Sequence, residues 1–489
     1  MKEGLSLSMA RAMNQVPNKE QKLPRLNTSA FKELCRVSFL DDAWRQVNKS
    51  NKKSSGVDGV TIGHFANNLE PNLRLLADEI RSGSFQFRKL SGIAIPKDES
   101  KRDGAKRPLR IPAVRDRVVL KALQLFLRPR LEPLNAPFSY AYRKEGGAQR
   151  AIAHARALAR NFKFVVEADI QSYFDRVDKK SLATVLFRLQ HLTSLQPLIE
   201  EGLSLETEVS PTVKESDLHL FDENDERGIP QGSALSPILA NLYLAHFDLE
   251  MERLGWNTLR YADDIIIFTS SRPQAETAFA DAKKTLTSLS LDMHPLSTGP
   301  KAKSKIRDTK TEGVEFVGFK IESDRVLPSS KTIQKFRDSI VTATEMKDGR
   351  FVNHARQTKK SESLIARATS VINKVYGKAA SLAACEECQE IVQLGEVVKG
   401  FYLRMFEEIG VTVGPGDDAK RRLLDVPDLL GVWKERREKY LAEAKAPPAT
   451  RAEIEAWRGK VVKRLARAFD GVAIGQPAPS VEPTEAVAV

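Results

Sequence analysis

Cysteine is scarce in this sequence, with Cys35, Cys385 and Cys388 the only three among 489 residues. So few cysteines exclude a disulfide scaffold and favour a reducing, cytoplasmic setting. Long apolar runs are absent too, and none approaches the roughly 18 residues that a membrane-spanning helix needs. The polar segment 1–21 lacks the apolar core of a secretory signal. We therefore expect a cytoplasmic protein with no membrane partner.

Positive charge is in excess and is concentrated in one part of the chain. The sequence has 77 Lys and Arg against 64 Asp and Glu, a net charge of +13. Residues 81–130 hold 14 of the basic and 4 of the acidic residues, a net of +10. Such a cluster can neutralise several phosphates, so a polyanionic partner is expected to bind here and to bind more weakly as salt rises. A solvated basic surface is the alternative.

Apolar periodicity and turn residues predict the order of the elements. The sequence changes from mixed helices and strands to helices alone near residue 330. The predicted elements are a helix at 31–47, a hairpin at 85–112 with a cationic tip, a helix at 114–131, a strand at 163–169, a loop or hairpin insertion at 205–227, a long helix after Gly232 capped by Ser236, a hairpin at 260–268, a strand at 316–321 and a helix at 451–469.

Three aspartates form the most informative pattern. Asp263 and Asp264 lie between two β-prone runs, which predicts the tip of a hairpin, and Asp169 ends an apolar strand. Phosphoryl transfer to a polynucleotide end uses two divalent cations about 3.5–4 Å apart. Mg²⁺ prefers carboxylate oxygens together with substrate phosphates. A strand-end Asp facing a hairpin Asp pair would supply these ligands, whereas an ordinary Asp-rich turn is the alternative.

A third element precedes the helix predicted after Gly232. Gly232 allows the backbone to approach a substrate closely, and Gln231 beside it can hydrogen-bond to a nucleotide or a template.

In this order, the elements resemble the polymerase palm of reverse transcriptases, over about residues 50–325. Further segments are similar to motifs of group II intron reverse transcriptases and their bacterial relatives, and 316–319 is similar to the primer-grip hairpin of that family. These segments are 55–59 (SGVDG), 107–112 (RPLRIP), 115–119 (RDRVV), 139–143 (SYAYR), 303–306 (KSKI) and 316–319 (FVGF).

The resemblance implies an α+β right-hand polymerase that performs RNA-directed DNA synthesis. Its palm is expected to be a small antiparallel sheet backed by helices. The expected divisions are an N-terminal extension with a helix at 1–49, fingers at 50–160, palm at 161–325, a helical thumb or maturase-like region at 326–445, and a basic helix with a disordered tail at 446–489.

The resemblance also assigns the metal ligands. Asp169 and Asp263 would hold two Mg²⁺ ions, for which Mn²⁺ could substitute. Asp264 belongs to the same motif, and Ile170, next to Asp169, is a further predicted ligand.

Five residues are predicted to bind the incoming nucleotide. Lys97 and Arg107 match the fingers residues that clamp the triphosphate, and Lys303 would lie near it. Phe174 matches the aromatic steric gate that rejects a ribose 2′ hydroxyl, and Gln231 matches the residue that lies against the nucleotide. The alternatives are solvated loop cations for Lys97 and Arg107, and a buried core side chain for Phe174.

The biological setting is predicted less directly. Cys385 and Cys388 form a lone pair without a nearby His, which favours semi-buried cysteines over a zinc site, and no endonuclease is predicted. The chain then looks more like domesticated bacterial reverse transcriptases, including the antiphage group that copies a companion noncoding RNA. Intron splicing and mobility is the first alternative, and an RNA-binding protein with an inactive palm is the second.

The predicted partners are a noncoding RNA template, the DNA product and deoxynucleoside triphosphates. The primer and the oligomeric state stay open, a homo-oligomer included. Two surfaces also have two interpretations each. The basic helix at 451–469 either binds RNA or is a solvated face, and the acidic stretch at 215–226 is either a contact surface or a solvated loop.

Overall fold

The computed structural model describes residues 29–49, 54–96, 105–144, 146–190, 194–222, 226–299, 302–322, 325–335 and 449–472, with scattered positions between 338 and 438. Lys97, Cys388 and most of the predicted thumb lie outside the described residues. Within the described ranges, no helix is both long and apolar enough to cross a membrane.

Helices and strands alternate along the described chain. The helices are α1 Ser29–Leu34, α2 Val37–Val47, α3 Ile62–Asn67, α4 Leu69–Ser82, α5 Val114–Leu131, α6 Ala148–Asn161, α7 Tyr173–Arg176, α8 Lys179–Gln190, α9 Gln196–Leu203, α10 Ser236–Tyr243, α11 Ala245–Arg253, α12 Arg272–Ser288 and α13 Arg451–Phe469. The strands are β1 Leu90–Pro96, β2 Lys106–Ile111, β3 Phe164–Asp169, β4 Thr207–Val209, β5 Asn257–Tyr261, β6 Asp264–Thr269, β7 Lys305–Asp308, β8 Val314–Phe316, β9 Phe319–Ile321, β10 Val326–Pro328, β11 Met346–Lys347 and β12 Arg350–Phe351.

The helix predicted at 31–47 is two helices in the structure. Arg36 adopts an extended conformation, with φ −77° and ψ 128°, and this ends α1 before α2 begins. The apolar residues still share one buried side, because Leu40 and Trp44 of α2 face the core. The prediction of a single helix was therefore wrong, although the predicted buried positions 40, 44 and 47 are correct.

The predicted cationic hairpin is confirmed by β1 and β2, which pair antiparallel with Ile95 opposite Arg107. Its tip lies outside the described residues. The segment predicted as a loop or hairpin insertion at 205–227 adds the short strand β4, parallel to β1, and a 3-10 helix at Glu215–Phe221. Phe221 of that helix is buried, and the Arg110 guanidinium lies 5.7 Å from its ring centroid.

A four-stranded antiparallel sheet, in the order β5-β6-β3-β7, forms the centre of the molecule. Residues 265–268 of β6 are four consecutive buried apolar residues, a pattern typical of a strand that is covered on both faces. Helix α12 packs against β3 and β6. The expected small antiparallel sheet backed by helices is therefore present.

The long helix predicted after Gly232 is also two helices, α10 and α11, which meet at Leu244. Ser236 is the first residue of α10 instead of its cap, and its hydroxyl donates to the Pro230 carbonyl at 2.8 Å. The predicted capping role was wrong because this hydrogen bond ties Ser236 to the preceding loop.

The strand predicted at 316–321 is the hairpin of β8 and β9. Its turn is formed by Val317 and Gly318, both with positive φ, at 51° and 83°. A single strand was therefore the wrong prediction here, whereas the similarity of 316–319 to a hairpin motif agrees with the structure.

Helix α13 spans the predicted residues and carries the predicted buried side. Thr450 and Glu453 form a reciprocal capping box at its beginning. Trp457, Val461 and Leu465 are buried, and the helix packs against α8 and α11. Its solvent-exposed basic residues are Arg451, Lys460, Lys463, Arg464 and Arg467.

Candidate active site

The sheet brings the three aspartates together at one edge. Asp169, the last residue of β3, is directly opposite Asp264, the first residue of β6. Asp263 lies in the tight turn between β5 and β6, beside Ala262, whose φ is 58°. The strand-end aspartate and the hairpin pair are thus neighbours, as the sequence pattern predicted.

A buried arginine side chain holds this turn in place through hydrogen bonds. Arg260 is fully buried and donates two hydrogen bonds to the Asp248 carboxylate, at 2.7 and 2.6 Å. Its Nη1 also donates to the Asn241 side-chain oxygen and to the Ala262 carbonyl, both at 3.1 Å. Arg260 therefore fixes the backbone of the aspartate-bearing turn.

The aspartates repel one another. Burial raises the pKa of Asp263, and the Asp169 carboxylate raises it further. Desolvation, with repulsion from Asp263 and Asp169, raises the pKa of Asp264 to about 7, although its side chain retains surface in contact with solvent. Positive charge placed between these groups would relieve the repulsion.

Two basic side chains reach Asp169. Lys303 Nζ donates to Asp169 Oδ2 at 3.0 Å, and His294 Nε2 lies 3.8 Å from the same oxygen. Lys303 therefore lies at the aspartate cluster, next to the place where a triphosphate was predicted. His294 carried no motif signal and was missed from the sequence.

The aspartate oxygens suit a hard cation whose remaining ligands come from the substrate. In the described part of the chain, no three or more His, Cys, Asp or Glu side chains are grouped closely enough to hold a metal ion alone. Mg²⁺ is often held by one or two carboxylates together with phosphate oxygens of the substrate. Asp169 and Asp263 match that pattern. Ile170 is buried and bridges to Met293, and its role as a ligand stays a prediction.

Phe174 lies just beyond β3, where the steric gate was predicted. Its side chain is half-buried, and its ring centroid is 5.6 Å from that of Tyr173 at an interplanar angle of 70°. Phe174 packs partly against the core and stays partly exposed, so its role as the steric gate stays a prediction.

Gln231 links the loop before α10 to strand β2 and to Asp175. Its backbone oxygen accepts from the Arg110 amide at 2.8 Å, and its side-chain nitrogen donates to Asp175 Oδ1 at 3.4 Å. Gly232 has φ 130°, and a Cβ atom there would lie 2.2 Å from the Arg110 carbonyl oxygen. Only glycine fits this close approach to the Arg110 backbone, whereas the predicted approach to a substrate stays a prediction.

Arg107 is exposed on β2. Its neighbour Lys106 pairs with Asp217 of the 3-10 helix at 2.6 Å. Successive side chains of a strand point to opposite faces, so Arg107 lies on the face turned away from that helix. Lys97, its predicted companion, lies outside the described residues.

Backbone strain is concentrated at the site. Five non-glycine residues in the described ranges have a positive φ, and three of them are Tyr142, Ser172 and Ala262. Ser172 follows β3, Ala262 forms the aspartate turn, and Tyr142 precedes Arg143 in a segment that runs beside β5. Strained residues of this kind persist where the surrounding structure enforces them, and they cluster at functional sites.

Together, the aspartate cluster at the end of an antiparallel sheet, the cationic hairpin and the half-exposed phenylalanine define a polymerase-type palm. Residues 95–321 match the family described as reverse transcriptase (RNA-dependent DNA polymerase). This part of the chain therefore matches the reverse transcriptase family, in agreement with the family and the mixed fold that the motifs predicted.

Relatives of known sequence and structure are similar over part of the chain. Protein YkfC of Escherichia coli (strain K12) is 32% identical over 40% of this chain and 49% of its own length. The group II intron-encoded protein LtrA of Lactococcus lactis subsp. cremoris is 24% identical over 47% of this chain and 36% of its own. This chain thus covers about half or less of the length of each of these relatives. The solved structure of a partial Cas6-RT-Cas1–Cas2 complex aligns over 54% of this chain and 42% of its own, with 24% identity and a TM-score of 0.34.

Proposed function

We propose that this protein is an RNA-directed DNA polymerase. The pairing of Asp169 with Asp264, with Asp263 in the adjoining turn, is the observation that supports this function most strongly. In the reaction, the primer 3′ oxygen loses its proton and bonds to the α-phosphorus of a deoxynucleoside triphosphate. The bond between the α-phosphorus and the bridging oxygen breaks, and pyrophosphate leaves.

Asp169 and Asp263 would hold Mg²⁺, or Mn²⁺, and Asp264 and Ile170 would complete the site. When bound, these ions make the 3′ oxygen a better nucleophile and neutralise charge on the triphosphate. The protein itself contributes chiefly position, because the buried Arg260 holds the turn that carries Asp263.

The remaining site residues are proposed to bind the nucleotide. Arg107 and Lys97 would grip the triphosphate from the fingers, and Lys303 would contact it from the palm. Gln231 would lie against the nucleotide, and the exposed edge of Phe174 would exclude a 2′ hydroxyl.

Replacing Asp263 tests the catalytic proposal. Asp263→Ala should abolish dTTP incorporation on poly(rA)·oligo(dT) while RNA binding persists. Asp41→Ala, which removes only an exposed ion pair with Arg45, is the matched control and should leave the rate unchanged. Equal incorporation by Asp263→Ala would refute the assignment and favour the alternative of an RNA-binding protein with an inactive palm.

Replacing Phe174 tests sugar selection. Phe174→Ala should lower the preference for dTTP over UTP about 10- to 200-fold, because the smaller side chain leaves room for the 2′ hydroxyl. Phe174→Tyr keeps the bulk and should keep the preference. An unchanged ratio of kcat/KM values in Phe174→Ala would show that another group discriminates.

We propose a structured noncoding RNA as the template, copied in antiphage defence. Intron splicing and mobility is a second candidate, and similarity to the group II intron-encoded protein LtrA favours it. Sequencing the RNA and DNA that copurify from cells separates the two. Reads from a flanking intron support the second candidate, and reads from an unrelated structured RNA support the first.

The organisation of the chain is part of the same proposal. We retain an N-terminal extension at 1–49, fingers at 50–160, palm at 161–325, thumb at 326–445 and a C-terminal segment at 446–489. A cytoplasmic location is proposed with them, and the oligomeric state is left open.

A further inference from the structure

Tyr142 lies beside the aspartate turn, and its backbone adopts a strained conformation. Its φ is 61°, and 39% of the residue is exposed. A left-handed conformation suits glycine and is unfavourable for a tyrosine. Complete burial of the ring does not explain the strain, because the side chain is only partly buried.

Hydrogen bonds on both sides hold Tyr142 in this conformation. The amide of Tyr140 donates to the Arg260 carbonyl at 2.9 Å, and the Asn241 side chain donates to the Ala141 carbonyl at 2.8 Å. On the other side, Arg143 Nη1 donates to the Ser139 carbonyl at 2.8 Å. Asn241 also accepts from Arg260, so one buried network holds both Tyr142 and the aspartate turn.

The position of Tyr142 in the sheet suggests what its ring contacts. Ser139 bridges to Arg260 in parallel, so the segment 139–142 runs outside β5, at the edge of the sheet opposite β7. Lys303 and Phe174 lie on the β3 side of the aspartate turn. The 3′ end of a primer held at Asp263 would therefore have Tyr142 on one side and Lys303 with Phe174 on the other.

We propose that Tyr142 is a substrate-positioning residue whose ring packs against the terminal nucleotides of the primer strand. This inference rests on the proposed function and adds a contact for the primer. Base–aromatic stacking does not depend on sequence, which suits a polymerase that must hold any primer end.

Tyr142→Gly separates a binding role from a structural one, because glycine removes the ring and relieves the strain. With a DNA primer annealed to an RNA template, Tyr142→Gly should raise the Kd measured by anisotropy about 5- to 100-fold. Its KM for dTTP should stay within about twofold, and its Tm should not fall. Tyr142→Phe should match the wild type, as should Leu75→Ala, which shortens an exposed side chain on α4.

Abasic primers locate the contact. If the ring packs on the primer, an abasic site at one of the last three primer positions should remove the difference between wild type and Tyr142→Gly. Loss of the difference only with abasic templates would overturn the primer assignment.

The same measurements separate failure of the Tyr142 role from failure of the proposed polymerase function. Unchanged Kd in Tyr142→Gly, or a fall in its Tm, would overturn the positioning role. A wild-type protein that binds primer–template but never extends it would refute the proposed polymerase function, whereas the Kd comparison would still decide the role of Tyr142.

Discussion

At the scale of single residues, the stability of the aspartate turn depends on a charge pair that is removed from solvent. Arg260 and Asp248 have no exposed side-chain surface. Removing one partner of such a pair leaves an uncompensated buried charge. Asp248→Asn should therefore lower the free energy of unfolding by about 3–5 kcal/mol, measured by urea denaturation.

The exposed pair of Arg45 and Asp41 is the control for that measurement. Asp41→Asn should change stability by less than about 1 kcal/mol, because exposed ion pairs contribute little. If both variants were equally stable, Arg260 would not depend on Asp248 for its charge balance.

His154 predicts a pH-dependent loss of stability. Burial lowers the pKa of His154 from 6.5 to about 4, and its Nδ1 shares a hydrogen bond with Tyr140 Oη at 2.6 Å. The folded state favours the neutral form of His154. Its contribution to the free energy of unfolding is therefore complete above pH 6.5 and is lost as the pH falls towards 4. The loss is on the order of 3 kcal/mol.

Thermal unfolding between pH 7 and 4 checks this contribution. The Tm of the wild type should fall more steeply than that of His154→Gln, which cannot gain the proton. Parallel Tm curves would contradict the assignment of a neutral, buried His154.

Site residues could be predicted from the sequence where a chemically distinctive side chain also adjoins a predicted strand. Asp169 and Asp263 adjoin β-prone runs, so their meeting in space could be inferred from strand pairing. In the sequence, Arg260 is one charged residue in a short mixed strand, and its partner Asp248 lies in the preceding helix α11. Only tertiary packing brings such groups together, and the same holds for His294 beside Asp169.

At the scale of elements, α13 packs against the central part of the molecule. Trp457 is buried, its Nε1 donates to the Leu134 carbonyl at 3.3 Å, and its ring lies 6.0 Å from that of Phe138. Trp457→Ala should cost about 3–5 kcal/mol in the free energy of unfolding. Val462→Ala, at an exposed position of the same helix, should change it by no more than about 0.5 kcal/mol. Equal small effects would indicate that α13 is not packed against α8 and α11 in solution.

Elements with a continuous pattern were predicted well, and their interruptions were not. Helix α5 and strand β3 follow their apolar patterns almost to the residue. The breaks between α1 and α2, and at Leu244, leave the apolar pattern nearly intact. Such breaks are set by backbone geometry and tertiary contacts, which periodicity does not record.

At the scale of the whole molecule, the charge excess has a structural location. The basic block at 81–130 contains both strands of the β1–β2 hairpin and nearly all of helix α5. Binding through several phosphate contacts releases counterions, so the Kd for an RNA–DNA duplex should rise at least about tenfold between 50 and 200 mM salt. A salt-independent Kd would show that this basic surface does not bind the duplex backbone.

Copying a defined RNA is the most direct test of the central claim. The purified chain is given a heteropolymeric RNA template, a DNA primer, Mg²⁺ and all four deoxynucleoside triphosphates, with Asp169→Asn measured beside it. We predict DNA complementary to the template from the wild type and none from Asp169→Asn. Equal synthesis by both proteins, or no template-dependent synthesis by the wild type, would contradict the account.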